Sequence, residues 1–337
     1  MGIFNFEKKS TLGIDIGTAS IKIVELAKES NRFQLINYGL FEWEGTDKLS
    51  NQEVVVGIKE ILQQTKIKSR EVVASIPSFP TFATTITMPY LSEEEIAKAM
   101  PFEARKYIPI PLSEVQLDWA IVRVKGDKKV DVFLVAVPKE EVARYQTIMK
   151  EAELNLRALE LENFALIRAL VGNDLSPIAI INIGGRSTSI LIVENGFQRA
   201  NHDYEIGGFE ITKSIARSLG INLKRAEELK RNFGIRDQQD NIVRQAMSSL
   251  VDMMALEANK TIHNYEDQQQ KKVAKILLVG GLANMLDFAQ YFSQKLGREV
   301  SLGNSLARVV IPPQLESMRA ELNSTFVVSI GLAMRAL

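Results

Sequence analysis

Two short turns rich in glycine and hydroxyl residues could bind phosphate. The segments Gly17-Thr18-Ala19-Ser20 and Gly184-Gly185-Arg186-Ser187-Thr188 each separate two runs of β-branched residues. A turn of this composition directs backbone N–H groups and hydroxyls to one point, which suits the oxygens of a phosphate group. If the two turns face each other, we expect them to hold a polyphosphate between them.

Two further features fit the same chemistry. Asp15 directly precedes the first turn, and it could hold a magnesium ion through water, because this ion dehydrates reluctantly. The pair Gly280-Gly281 follows a buried strand and precedes a helical pattern. A helix N-terminus and a flat glycine surface would let a purine or a phosphate approach. The same pair could instead form only a tight turn that needs positive φ.

An internal repeat positions the two turns. LGIDIGTASIKIVEL (12–26) and AIINIGGRSTSILIV (179–193) align without a gap, at an offset of 167 residues (182 minus 15). Each is typical of a strand, a polar turn and a second strand, and each is followed by more strand-like sequence. We predict a duplicated domain with a cleft between its halves, although two glycine hairpins can also be alike by chance.

The pattern changes between the repeats. Residues 80–157 follow a β-α-β-β-α order, which predicts a compact α+β unit inserted into the first repeat. The chain ends on a short apolar helical pattern that suits core packing better than membrane anchoring. The predicted domains are a first domain of 10–79 plus 158–178, an insert of 80–157, and a second domain of 179–337.

The composition excludes several classes of protein. Of 337 residues, 46% are hydrophobic, none is cysteine, and 41 basic residues balance 41 acidic ones. A disordered chain, a disulfide scaffold and a structural zinc site are therefore disfavoured. A net charge of zero does not indicate the basic surface that nucleic-acid binding requires. No window is apolar enough for a membrane span or a signal peptide, so we expect a cytoplasmic protein.

The motifs together resemble a known superfamily. The succession IDIGTASIK, ELENFA, INIGGRSTS, EIGG, AEELK and LLVGGLA is similar to the actin and Hsp70 ATPases. The insert, and PFEARKYIPIPLSEVQLDWAIV within it, narrow the resemblance to the FtsA and PilM branch, and most closely to the PilM family of type IV pilus assembly. The resemblance implies an α/β fold of duplicated actin-like (ribonuclease H-like) domains with an SHS2-like insert.

The resemblance also implies ATP with magnesium as the ligand and assigns roles to further residues. Besides the residues of the two turns, it implies that six further residues contact the nucleotide: Lys22, Gly207, Gly208, Glu227, Lys230 and Leu282. Glu227 and Lys230 could equally form an ordinary helical salt bridge. Arg186 could be a phosphate ligand or a surface charge.

Three residues bear on hydrolysis. Glu162 falls where relatives place the residue that orients the attacking water, with Glu160 as a competitor, yet a solvated carboxylate at a helix start is the better-supported interpretation of either. Asn182 replaces the aspartate that usually starts the second phosphate loop. Its amide would hold magnesium through water more weakly, so we expect ATP binding with at most weak ATPase activity.

The resemblance implies a membrane partner. In PilM-like proteins a groove beside the insert captures the N-terminal tail of the inner-membrane protein PilN, and we name Phe82 and Tyr107 as groove residues, although both could be core. A scaffold bound indirectly to the inner membrane follows. Contacts with other pilus components and self-association are left open. The alternatives are an FtsA-like, polymer-forming division adaptor and a working ATPase or phosphotransferase.

Overall fold

The computed structural model describes residues 10–30, 32–43, 49–78, 81–125, 129–236 and 242–337. The first part of the chain forms, in order, β1 (Ser10–Ile16), β2 (Ser20–Glu29), β3 (Arg32–Glu42), α1 (Asn51–Thr65), β4 (Glu71–Ile76), β5 (Phe82–Pro89), α2 (Glu93–Ala104), β6 (Val115–Lys125), β7 (Lys129–Pro138), α3 (Lys139–Glu151), β8 (Asn155–Leu161) and α4 (Glu162–Leu170). Helices α1 and α2 are each preceded by a serine whose hydroxyl accepts a hydrogen bond from the backbone amide of a glutamate three residues later. The side chain of that glutamate accepts a hydrogen bond from the backbone amide of the serine. This reciprocal cap marks both starts in the sequence.

The second part of the chain contains the second repeat and the longest described helix. It forms β9 (Ile178–Ile183), β10 (Thr188–Glu194), β11 (Phe197–Tyr204), α5 (Gly208–Leu219), α6 (Leu223–Phe233), α7 (Ile242–Gln269), β12 (Lys275–Val279), α8 (Phe288–Leu296), β13 (Ser301–Leu302), β14 (Val309–Val310), α9 (Arg319–Thr325) and α10 (Val327–Arg335).

The strands form three sheets within the described residues. A six-stranded sheet has the order β14-β3-β2-β1-β4-β8, a five-stranded sheet the order β11-β10-β9-β12-β13, and the insert a three-stranded sheet β5-β7-β6. The two large sheets belong to the two halves of the molecule. Each begins with an antiparallel β-β-β unit whose first strand pairs in parallel with a later strand.

The two β-β-β units share an irregularity that strengthens the evidence for duplication. The β2–β3 ladder shifts by one residue after Glu25, and the β10–β11 ladder shifts after Ile192. These two positions again differ by 167 residues (192 minus 25). A bulge is a specific local feature of a strand pair, so its recurrence confirms the predicted repeat and makes chance similarity untenable.

The insert is smaller than expected. Its sheet and helix α2 enclose their own core between residues 82 and 138. Helix α3, which we expected in the insert, instead packs against the six-stranded sheet, where Tyr145 and Ile148 share a core with Ile58 of α1. Strand β8 then pairs with β4 from residue 155. By packing, residues 139–157 therefore belong with the first half, because their apolar side chains are buried there.

The last helix crosses the predicted boundary as well. In α10, Ile330 shares a core with Val24 of β2, and Val327 lies in a core that joins Val73 of the first half to Ile180 of the second. Helices α4 and α10 thus form the junction between the halves. Helix α10 is apolar on all sides because both of its faces are covered by protein, which agrees with the predicted core role.

The described helices include none that combines the length and apolarity needed to cross a bilayer. Helix α7 has 28 residues, but charged residues recur along it, and its buried side chains face the core of the second half.

Candidate functional site

The two predicted phosphate turns lie against each other between the halves. In both, the amide of the first glycine donates to the carbonyl of the serine three residues later at 2.9 Å, Gly17 to Ser20 and Gly184 to Ser187. A Cβ atom placed on Gly185 would lie 2.6 Å from the Cβ of Ala19. The structure therefore brings the tips of the two turns together, with Thr18 beside the contact.

Asp15 and Lys22 lie beside the first turn. The Oγ of Ser75 donates to Asp15 Oδ1 at 3.1 Å, and Lys22 Nζ lies 3.3 Å from Asp15 Oδ2. Lys22 Nζ is also 3.7 Å from the Cβ position of Gly17. An ammonium group at this turn suits a phosphate oxygen, and the carboxylate suits a hydrated cation.

The donor set fits magnesium only through water. Among the described residues, no group of three or more Asp, Glu or His side chains is arranged to hold a metal directly. Asp15 is 8% exposed, and its two oxygens are already oriented by Ser75 and Lys22. One carboxylate with fixed neighbours can orient the water shell of magnesium, which keeps most of its waters in proteins.

The N-terminus of α5 holds the second turn. The amides of Gly208 and Phe209 donate to the carbonyls of Gly184 and Gly185, at 3.0 and 2.7 Å. A Cβ on Gly207 would lie 2.6 Å from the Gly184 carbonyl oxygen. The predicted binding residues Gly207 and Gly208 therefore support the turn from behind.

Two other members of the second turn are fixed by neighbouring groups. The hydroxyl of Thr188 donates to the carbonyl of Ile206 at 2.7 Å, so its hydrogen is committed to the fold and not to a phosphate. The guanidinium of Arg186 lies 4.5 Å from the centre of the Phe209 ring, and Lys213 lies over the same ring at 4.6 Å. Arg186 is thus stacked at the turn and does not extend into solvent.

Glu227 and Lys230 form the salt bridge that was one of their two predicted roles. Lys230 Nζ lies 2.6 Å from Glu227 Oε2, and it donates to the Gly208 carbonyl at 3.0 Å and to the Thr212 hydroxyl at 2.8 Å. Burial lowers the pKa of Lys230 against the opposing charge of Glu227. Burial would raise the pKa of Glu227, but the Lys230 charge and several hydrogen bonds lower it overall. The pair is anchored beside the second turn, where Leu282 also packs on Gly208.

Gly280 and Gly281 have separate roles. Gly280 has φ of 97°, and a Cβ there would lie 2.2 Å from the carbonyl oxygen of Ile183, so it serves the tight turn. Gly281 is exposed, and no described atom lies within 4 Å of its Cβ position. The expected helix N-terminus beside the pair is wrong, because successive turns follow it and α8 begins only at Phe288.

Glu160 and Glu162 have different environments. Glu160 is bound by Arg168 at 2.6 Å and by Arg335 at 2.8 Å, so its oxygens are engaged inside the fold. Glu162 is the first residue of α4, and the backbone amide of Ser78 acts to lower its pKa. The structure therefore leaves Glu162 as the candidate for orienting a water.

Glu162 differs from the solvated helix-start carboxylate of the alternative interpretation. Burial raises its pKa to about 8, and the negative charges of Asp15 and Asp203 act in the same direction. A carboxyl group with a pKa near the working pH can accept a proton there. Glu162 is therefore a base candidate at the edge of the cleft.

Asp203 is a carboxylate near the cleft that the sequence analysis missed. Asn182, Ser189 and Asp203 are successive cross-strand partners on β9, β10 and β11, so their side chains share one face. The Ser189 hydroxyl and the Asn201 amide donate to Asp203. A negative charge thus lies two strands from the uncharged Asn182. The Asn-Gly turn at 195–196 indicates the β10–β11 hairpin, but its register depends on the bulge.

A polar groove lies between the insert and the second half. It has a volume of about 300 Å³ and is lined by residues 78, 81–85, 133, 161, 163, 198–201 and 203. Strand β5 is an edge of the insert sheet, and β11 is an edge of the five-stranded sheet. Unpaired strand edges beside a groove suit the capture of an extended peptide.

Two buried polar atoms behind the groove lining lack partners among the described residues. Asn163 is 1% exposed, and its Nδ2 donates to Gln198 Oε1 at 3.0 Å. Its Oδ1 atom, like the Oγ of Ser78, accepts no hydrogen bond from the described residues. Such atoms cost free energy until a partner pairs with them, but both are themselves shielded from solvent, so neither atom faces the open groove.

The two predicted groove residues lie in different parts of the insert. Phe82 lines the groove and packs against the insert core. Tyr107 follows α2, is 43% exposed, and does not belong to the lining. The structure therefore brings Phe82, but not Tyr107, to this groove.

Comparison with known proteins gives one family over nearly the whole chain. The model of the family described as type IV pilus assembly protein PilM matches residues 13–337. A chain from a solved PilM-PilN type IV pilus biogenesis complex is similar over 97% of this chain and 98% of its own, with a TM-score of 0.85 and 24% identity.

More distant similarities share the fold. The ethanolamine utilization protein EutJ from Carboxydothermus hydrogenoformans has a TM-score of 0.61 at 19% identity and covers 97% of this chain and 89% of its own. MreB5 of Spiroplasma citri, solved with AMPPNP, has a TM-score of 0.56 at 13% identity and covers 96% and 95%. The cell division protein FtsA of Bacillus subtilis (strain 168) is 37% identical over 57 residues, which is 17% of this chain and 13% of FtsA. The predicted actin-like α/β fold is thus confirmed.

Proposed function

The chain belongs to the family of the type IV pilus assembly protein PilM, and on this basis we propose that it is an ATP-binding scaffold held at the inner membrane by a PilN-like partner. The N-terminal cytoplasmic tail of that partner is the segment captured. The protein itself is then cytoplasmic and peripheral to the membrane.

One observation carries the nucleotide half of the proposal. Two glycine turns from the two halves meet at one point, with Lys22 Nζ beside one turn and the Glu227–Lys230 pair behind the other. Gly281 leaves an open surface at the end of the neighbouring strand. This arrangement suits a polyphosphate that carries a flat base.

Magnesium would be held by Asp15 through water and would supply charge neutralisation to the phosphates. Asn182 contributes no charge to this shell, and Glu162 is the base candidate. Slow turnover, with ATP acting mainly as a bound structural ligand, is the expected consequence. A phosphotransferase would also need a residue that activates an acceptor hydroxyl, and the sequence offers no motif for one.

The groove carries the partner half of the proposal. It has two strand edges and an apolar contact at Phe82. An extended tail supplies N–H donors and carbonyl acceptors to strand edges. The solved relative that contains PilN is named as a PilM-PilN complex, which supports a PilN-like tail as the occupant.

A thermal-shift experiment tests nucleotide binding. Millimolar Mg-ATP should raise the melting temperature of the unmodified chain, because a ligand that binds only the folded state stabilises it. Gly281→Val should remove the shift, since the new side chain meets no protein atom but occupies the open surface. Ser249→Ala, at an exposed position of α7, is the control. An unmodified chain that is not shifted by Mg-ATP contradicts the proposal.

A peptide titration tests the partner. A synthetic peptide of the N-terminal tail of a PilN-like protein should bind the full chain, and Thr85→Arg should abolish binding by filling the groove from an exposed position. Phe82→Ala should weaken binding, with circular dichroism to check that the insert stays folded. Equal losses in Phe82→Ala and Tyr107→Ala would place the peptide on the surface near α2 and overturn the groove assignment.

A further inference from the structure

The described lining of the groove contains two charged side chains, and they differ in how their charges are balanced. Arg199 Nε lies 3.5 Å from Glu194 Oε2, so its positive charge is neutralised within the second half. Asp203 accepts hydrogen bonds from the Ser189 hydroxyl and the Asn201 amide, and both donors are neutral. Among the described residues, no Lys, Arg or His side chain forms an ion pair with Asp203. The groove wall therefore carries one negative charge without a counter-ion.

The carboxylate of Asp203 is oriented and can accept further hydrogen bonds. Its Oδ1 accepts from Ser189 and its Oδ2 from Asn201, whereas an ionised carboxylate offers about four lone-pair sites. Asp203 lines the groove, is half-buried, and lies on β11 at the edge of its sheet. A donor in the groove therefore meets an acceptor that its neighbours have already fixed in direction.

An occupant of the groove makes this charge more costly unless it brings a counter-charge. The occupant displaces water from Asp203, and a carboxylate that loses water without gaining a positive partner costs free energy. The remaining polar side chains of the described lining are hydroxyls and amides, which cannot neutralise it. A cationic donor would compensate, because a hydrogen bond between charged groups is roughly twice as strong as one between neutral groups.

We propose that the peptide captured by the groove carries a lysine or arginine side chain that binds the carboxylate of Asp203, and that this contact selects basic tails over acidic ones. The inference rests on the proposed function and specifies the chemistry of the partner. Phe82 supplies the apolar contact on the side of the insert, and Asp203 supplies the charged contact on the side of the second half. The strand edges bind any extended backbone, whereas Asp203 distinguishes between side chains.

A peptide series on the full chain tests the contact. N-terminally acetylated peptides of a PilN-like tail carry Lys, Gln or Glu at one position at a time, so that the terminal amine adds no charge. At one position the unmodified chain should bind the Lys peptide about 10-fold more tightly than the Gln peptide, because a hydrogen bond to a charged group contributes on this order. The Glu peptide should bind most weakly, since it places like charges together.

Variants locate the contact on the protein. Asp203→Asn should bring the ratio of Lys to Gln affinities close to one, with the affinity of the Gln peptide little changed. Asp203→Ser repeats the measurement with a smaller neutral side chain, in case the added amide disturbs β11, and circular dichroism checks the fold of both variants. Asp267→Asn, at an exposed position of α7 outside the groove lining, removes the same charge and should leave the ratio unchanged.

The outcomes separate this inference from the proposed function. If the peptides bind the unmodified chain but no position prefers Lys, the charged contact is overturned while the proposed function stands. If the preference persists in the folded Asp203 variants, the cation binds elsewhere and the assignment to Asp203 is wrong. If only a peptide with a free terminal amine shows the dependence on Asp203, the side-chain assignment is overturned. If no peptide of the series binds, the proposed partner fails and this inference fails with it.

Discussion

Glu160 and Glu162 are two residues apart on the chain, yet the fold gives them opposite tasks. Glu160 neutralises two arginines and ties β8 to α10. Glu162 is partly buried and makes no hydrogen bond to a cation among the described residues, and its pKa is raised to about 8. The sequence motif alone could not separate them, because the distinction depends on Arg335, which is distant in the chain.

The raised pKa of Glu162 predicts a pH dependence of stability. The folded state holds the proton more tightly than the unfolded state, so the free energy of unfolding falls as the pH rises from about 4.5 towards 8. The slope is of order 1 kcal/mol per pH unit. Urea denaturation at pH 5, 6.5 and 8 should show Glu162→Gln gaining stability relative to the unmodified chain as the pH rises. A difference between the two proteins that does not vary with pH would contradict the buried environment.

Asn182 predicts a gain of function on substitution. Asn182→Asp adds a carboxylate at the position of the second repeat that corresponds to Asp15, and this group can help to orient a hydrated magnesium ion. Groups that orient a metal's ligands typically change affinity or activity by about 10 to 100-fold. We expect tighter magnesium dependence and faster phosphate release from ATP in a single-turnover assay, with Asp15→Ala as the opposite change. Slower phosphate release in Asn182→Asp would show that the amide of Asn182 does not limit hydrolysis.

Asp203 shows why part of the site could not be predicted. Counting back from the Asn-Gly turn without a bulge places His202, not Asp203, opposite Ser189. The one-residue shift after Ile192 reverses which side chain faces the cleft. Bulges are set by the packing of the whole sheet, so the local pattern predicts the hairpin but not this carboxylate.

At the scale of elements, local patterns predicted most strands and helices but not their partners. Both hairpins and the β-α-β-β-α order of residues 80–157 were visible from periodicity and turn residues. The assignment of α3 and α10 was not, because each is amphipathic or apolar without any signal of which sheet it covers. Tertiary packing alone assigns α3 to the first half and α10 to the junction between the halves.

The packing of α10 predicts a specific stability loss. A Cβ on Gly331 would lie 2.0 Å from the carbonyl oxygen of Ala165 in α4, whereas Gly281 has open space. Gly331→Ala should reduce the free energy of unfolding by about 1–3 kcal/mol, because the two helices must separate to admit a methyl group. Gly281→Ala is the matched control and should change it by less than about 0.5 kcal/mol. Equal effects in chemical denaturation would refute the close approach of α4 and α10.

At the scale of the molecule, the two halves are also joined across the cleft. Arg231 of α6 lies 2.8 Å from Glu42 at the end of β3 and 2.9 Å from Glu227. Arg231 and Glu42 are more than half exposed, so the contact contributes about 0.2–1 kcal/mol and is screened by salt. It is a weak latch over a cleft that must open.

This latch predicts a kinetic effect. Arg231→Ala should speed nucleotide dissociation by a factor of up to about 5, since that is the rate equivalent of a surface ion pair. Stopped-flow release of a fluorescent ATP analogue measures the rate, and high salt should bring the unmodified chain towards the variant. Arg225→Ala, which breaks only a pair within α6, should have no effect. If the rate of nucleotide release does not depend on salt, the Arg231–Glu42 ion pair does not control the opening of the cleft.

The position of α10 has a consequence for biosynthesis. Ile330 completes a core with Val24, so the first half needs contacts between residues about 300 positions apart. The core of the second half lies entirely within residues 179–300. During translation the second half can therefore finish folding while the earlier-made first half still lacks its last helix. The order of folding is then the reverse of the order of synthesis, and the face of β2 that packs on α10 stays uncovered until that helix leaves the ribosome.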